Sequence, residues 1–128
     1  MCLSLRCWYK GDTRADSYRL QLAQYAPVIS FITVAEIEVW ARRRSWGEVR
    51  LKQLEEHLAN YPVSFADLPL CRICALVTVE ALQQGRPIST GDAWIAATAL
   101  LLNAPLVTHN VADFSMVRGL SIITQTSL

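Results

Sequence analysis

Three acidic residues stand where chemistry is most readily built. Glu36 lies one turn beyond the apolar run Val28-Ile29-Ser30-Phe31-Ile32. Asp92 opens a segment that is apolar nearly all round. Asp113 follows Leu106-Val107-Thr108 through His109-Asn110. A carboxylate in apolar surroundings is costly unless it is paired or bound to a cation. Several carboxylates brought together repel one another and some of their pKa values rise. Mg²⁺ or Mn²⁺ relieves that repulsion and prefers hard oxygen ligands of this kind. Each acid also has a plainer reading. Thr33-x-x-Glu36, Ser89-x-x-Asp92 and Asn110-x-x-Asp113 all have the shape of a helix capping box. An acid at a helix N-terminus can cap and ligate at once, so spacing alone leaves both readings open.

The elements that must position these acids alternate between strand and helix patterns. Val28–Ile32, Val63–Phe65, Pro105–Thr108 and Leu120–Thr124 read as short strands. Thr33 is expected to N-cap a helix running to about Arg44, and Ser45-x-x-Glu48 to start a second one. Leu51, Leu54, Leu58 and Tyr61 form the apolar stripe of that second helix, so the two should make a hairpin. A longer helix is expected from about Pro69 to Gln84, stopped by Gly85 and Pro87, and a buried one from Ser89 to about Leu102. Asp113-Phe114 fits a short helical turn. At the front of the chain, Leu3 to Tyr9 reads as the tail of a helix closed by Gly11, and Asp16 to Gln24 as another helix. Strands alternating with helices imply an α/β fold with a parallel sheet, whose ligands bind beyond the carboxyl ends of the strands.

Composition narrows the function classes. A chain of 128 residues fits a single domain, expected over 1–128. Hydrophobic residues make up 52% and the formal net charge is +1, which excludes both a disordered chain and a generally basic nucleic-acid coat. The dense basic run is Arg42-Arg43-Arg44, which is either a solvated helix face or a local RNA contact. Cys71-x-x-Cys74 with Cys2 and Cys7 does not match a standard zinc spacing, and ordinary buried thiols are the expected role of all four cysteines. No secretory leader is visible at Met1. The most apolar stretch, Ala93 to Val107, is shorter than the ~20 residues of a membrane span. A cytoplasmic protein is expected.

Three segments carry a family resemblance: Ile29-Ser30-Phe31-Ile32-Thr33-Val34-Ala35-Glu36, Gly85-Arg86-Pro87-Ile88-Ser89-Thr90-Gly91-Asp92-Ala93-Trp94-Ile95-Ala96-Ala97, and Leu106-Val107-Thr108-His109-Asn110-Val111-Ala112-Asp113-Phe114. In this order and at this spacing the chain resembles PIN domains, most of all the toxin half of VapBC toxin–antitoxin pairs. The resemblance implies a three-layer α/β/α fold and a Mg²⁺- or Mn²⁺-dependent endoribonuclease. It assigns Glu36, Asp92 and Asp113 to metal, and Thr108 and Asn110 to orienting water or ligands. The partners it implies are an RNA substrate, a second copy of the chain, and a small antitoxin lying across the helical hairpin at roughly 33–61. A catalytically impaired remnant that only dimerises or binds antitoxin is the alternative.

One part of the family pattern is not found. PIN domains open with a central strand ending in Asp-Thr, and the first ten residues here read instead as the helix that comes after it. Asp12-Thr13 has no strand before it and is not assigned the role. The first strand is therefore expected to be missing, either because the coding start lies upstream of Met1 or because the gene is truncated. Its absence would leave two neighbouring strands with open edges.

Overall fold

The computed structural model describes residues 2–3 and 26–124. Among these residues five short strands make one sheet in the order β3-β2-β1-β4-β5, with every neighbouring pair parallel. They are β1 (Cys2–Leu3), β2 (Val28–Ser30), β3 (Val63–Ser64), β4 (Leu106–Val107) and β5 (Ile122–Ile123). The described helices are α1 (Phe31–Arg43), α2 (Glu48–Leu58), α3 (Leu68–Gln83) and α4 (Thr90–Leu101). A 3₁₀ turn, Val111–Asp113, comes after β4.

The sheet corrects the expectation of a missing first strand. Cys2–Leu3 occupies the central position, with Cys2 opposite Val28 and Leu106, and Leu3 opposite Ile29 and Val107. Leu3 therefore lies in a strand and not in a helix tail. Two residues are too few to show any hydrophobic period. What defines β1 is the pair of parallel neighbours on either side, information that lies far away in sequence. The helices expected over Leu3–Tyr9 and Asp16–Gln24 otherwise lie outside the described residues, as does Asp12-Thr13.

The sheet is covered on both faces. Successive residues of a strand point to opposite sides. In β4, buried Leu106 joins a core cluster with Leu70, Val77, Ala93, Ala96 and Phe114, while buried Val107 joins one with Ile29, Ile37, Ala41, Leu54 and Leu58. One layer is thus α3 and α4, and the other is the α1–α2 hairpin, which is the expected three-layer arrangement. α4 can lie close to α3 because Ala93, Ala96, Ala97 and Ala99 are all buried. Its buried Thr98 donates to the Trp94 carbonyl at 2.8 Å, so the hydroxyl is satisfied within the helix.

Helix starts differ from expectation at two places. Ser30, not Thr33, N-caps α1, its hydroxyl accepting from the Ile32 N–H at 3.3 Å. The apolar run Val28–Ile32 is cut short as a strand because Ser30 can both end the strand and cap the helix. Thr33 instead sits buried inside the helix. Ser45 adopts a left-handed φ of 57° in the hairpin turn and Gly47 takes the N-cap of α2, without a side-chain bond. The hairpin is closed by aromatic and cationic packing. Trp40 and Trp46 meet edge to face at 5.1 Å, with Arg44 over Trp40 and Arg50 over Trp46. At α3, Asp67 caps the Leu70 N–H at 2.9 Å and Pro69 sits in the first turn, as a residue without an N–H tolerates.

Candidate functional site

The carboxyl ends of β2 and β4 flank central β1, and the chain leaves the two strands in opposite lateral directions. That is the switch point at which an open parallel sheet forms its crevice. Each acid reaches this edge by a different route. Glu36 projects from the second turn of α1. The helix begins at Phe31 and has no acid in its first turn, so the capping-box reading of Glu36 does not apply. Asp92 stands at the third position of α4, where the Ser89 hydroxyl accepts from the Asp92 N–H at 3.2 Å. Here the cap is formed, and it fixes the backbone from which the Asp92 carboxylate extends. Asp113 closes the 3₁₀ turn, with its N–H bonded to the Asn110 carbonyl at 3.2 Å.

These residues line one cleft of about 210 Å³, formed by Glu36, Ser89, Asp92, Ile95, Asn110, Asp113 and Phe114. Four of the five residues expected to form a site thus come together. Thr108 does not line the cleft. It is buried behind it, only 2% exposed, and its hydroxyl accepts from the Asn110 N–H at 3.1 Å. That bond shapes the turn carrying Asn110 and Asp113. Ser89, Ile95 and Phe114 complete the walls. Ser89 was visible in the sequence as a cap, but apolar Ile95 and Phe114 bore no signal separating them from the rest of the core.

Gly91 is a further participant that residue type conceals. A Cβ at this position would stand 2.7 Å from Glu36 Oε1, so the Glu36 carboxylate rests against the bare first turn of α4, next to Asp92. The donor set suits a hard divalent cation: carboxylate and amide oxygens around a small cleft. Among the described residues, no three acidic, histidine or cysteine side chains close on one point as a complete cage would. Mg²⁺ is held in just such open sites, through one or two carboxylates with water in the remaining positions.

The basic run divides. Arg42 pairs with Glu38 one turn earlier at 3.3 Å. Arg43 and Arg44 instead line a groove of about 550 Å³ along α1 with Ile32, Ala35, Val39 and Trp40, and Glu36 belongs to both groove and cleft. The cysteines also depart from expectation. Cys74 is buried but Cys71 is exposed, and both are free. Burial pushes the Cys74 thiol up, against a hydrogen bond with Thr78 that lowers it, with Cys71 adding a smaller upward push. The expectation of buried thiols at Cys2 and Cys7 falls outside the described side chains.

Fold and cleft together define an acid-edged parallel α/β domain. The chain belongs to the PIN domain family, whose model matches residues 5–120. It is 36% identical over 93 residues to Ribonuclease VapC1 of Haemophilus influenzae strain R2866, covering 73% of this chain and 69% of that protein. It is 28% identical over 102 residues to the tRNA(fMet)-specific endonuclease VapC of Shigella flexneri, covering 80% of this chain and 77% of that one. Among solved structures, VapBC-1 from nontypeable Haemophilus influenzae superposes with a TM-score of 0.82 at 30% identity, over 98% of this chain and 97% of that chain.

Proposed function

We propose that this protein is a VapC-type toxin: an endoribonuclease that uses Mg²⁺ or Mn²⁺ and is held in check by a small antitoxin. The observation that carries the proposal is the convergence of Glu36, Asp92, Asp113 and Asn110 on one cleft at the carboxyl edge of the sheet. The relatives described as ribonuclease and as tRNA endonuclease support RNA as the substrate. In this reading Glu36, Asp92 and Asp113 hold the metal, and Asn110 orients a ligand from the turn that Thr108 braces. A bound divalent ion would activate water for phosphodiester hydrolysis and offset the negative charge that builds on the phosphoryl oxygens. The protein supplies the rest. The Ser89 hydroxyl fixes the backbone of Asp92 and the Thr108 hydroxyl that of Asn110, while Ile95 and Phe114 line the cleft beside them.

The groove of α1 leads away from Glu36 to Arg43 and Arg44, where phosphates of the RNA would be met. The antitoxin would lie across the α1–α2 hairpin, which leaves Val39 and Val49 exposed. A second copy would cover the exposed apolar residues Leu68, Leu76, Val79 and Leu82 of α3, with Phe65 before it.

The test is cleavage of RNA by the purified protein with Mn²⁺ or Mg²⁺, against the same protein in chelator and against Glu36→Gln and Asp92→Asn. Metal-dependent cleavage lost in both variants supports the proposal, and undiminished cleavage in both overturns it. One observation favours the alternative, a binding module without catalysis: no acid occurs between β1 and Asp12, where the family places its first aspartate. Antitoxin binding with no cleavage at any metal concentration would select that reading.

A further inference from the structure

Gly91 lies at the second position of α4, in the same turn as Asp92. Its φ is not in the left-handed region, so the backbone does not require glycine there. Glycine is also a poor helix residue, and alanine would favour α4. Nor is the position generally crowded. A Cβ would lie 3.9 Å from Glu36 Cδ and 4.0 Å from Ile32 Cγ1, both ordinary contacts. Among the described residues the sole conflict is with Glu36 Oε1 at 2.7 Å, a distance Cβ atoms essentially never show.

We propose that Gly91 is a positioning residue: its missing side chain is the space that lets the Glu36 carboxylate stand against the first turn of α4, alongside Asp92. The proposal rests on reading the cleft as a metal site and adds how α1 and α4 bring their acids together. A methyl group at position 91 must push Oε1 away by at least a few tenths of an ångström, and by about 0.7 Å to reach an ordinary 3.4 Å contact. The atom that yields is the far end of a flexible side chain, so the fold absorbs the change easily. The carboxylate position does not. Displacements approaching 1 Å in a reacting site are enough to cost up to ~100-fold in rate. Disturbing the groups that orient ligands typically weakens metal binding ~10–100-fold.

The experiment is a cycle of four full-length proteins: wild type, Gly91→Ala, Glu36→Gln, and the double variant. Mn²⁺ affinity is measured by calorimetry, with thermal midpoints recorded for each. Gly91→Ala is expected to keep or slightly raise the midpoint while weakening Mn²⁺ binding at least ~10-fold. In the Glu36→Gln background the same substitution should cost nothing more, because the carboxylate it displaces is already gone. Equal losses in both backgrounds, or wild-type affinity in Gly91→Ala, would overturn the proposal. A wild type that binds no Mn²⁺ sinks the metal reading of the cleft instead. The crystal structure of Gly91→Ala then still decides the role of Gly91: a shifted Glu36 carboxylate upholds it, and an unmoved one refutes it.

Discussion

Replacing Thr108 with Val removes one hydrogen bond and almost nothing else. The side chain is 2% exposed, and valine has nearly the same shape, so packing is kept. What disappears is the acceptor for the Asn110 N–H at 3.1 Å. A hydrogen bond of this kind contributes about 1 kcal/mol net, and more where the abandoned group stays buried. Asn110 itself is exposed, so water can reach its N–H and the lower end of that range applies. For a chain of 128 residues, about 1 kcal/mol corresponds to a fall of ~4 °C in thermal midpoint. Activity should fall much further than stability, because the released turn carries both Asn110 and Asp113 into the cleft. Urea unfolding and metal-dependent RNA cleavage, measured on the same preparations, separate the two effects. Thr108→Ser keeps the acceptor and should keep most of the activity. Wild-type cleavage by Thr108→Val would refute the idea that this hydroxyl braces the site.

The same geometry sets other outcomes. Leu54→Ala, at a fully buried position of α2, should cost about 2–5 kcal/mol in urea unfolding, whereas Val49→Ala on the surface should stay within about 0.5 kcal/mol. Arg43→Ala combined with Arg44→Ala should weaken RNA binding at low salt. It should also lower the slope of log affinity against log salt by about 0.7 per lost phosphate contact, with Mn²⁺ affinity unchanged; an unaltered slope would remove these arginines from the RNA path. Alkylation mapped by peptide mass spectrometry should label Cys71 readily near pH 8 and leave Cys74 protected until the pH is raised further, since its thiol titrates above the ordinary range. Asp67→Ala should cost about 1 kcal/mol through loss of the α3 cap, without affecting cleavage.

Much of this architecture was legible because it is written in local patterns. The buried run before Glu36, the apolar helix after Ser89 and the Leu106–Thr108 strand each carry their own period or cap, and together they place the acids at one sheet edge. The features that escaped depend on distant partners. β1 is two residues long and exists through its pairing with β2 and β4. Ser30 and Thr33 are both competent caps, and tertiary packing decided between them by burying Thr33. Gly91 reads as a weak spot in a helix until Glu36 is seen beside it. Arg42-Arg43-Arg44 looks uniform in sequence, yet helical geometry sends Arg42 to Glu38 and the other two to the groove.

Glu36, Asp92 and Asp113 are proposed to serve a single cation. The most direct measurement is anomalous diffraction from crystals soaked in Mn²⁺. One strong peak is expected in the cleft, about 2.0–2.3 Å from at least one carboxylate oxygen of these three residues, with the others reaching it directly or through water. A cleft without a peak at saturating Mn²⁺, or a peak bound elsewhere on the protein, would contradict it.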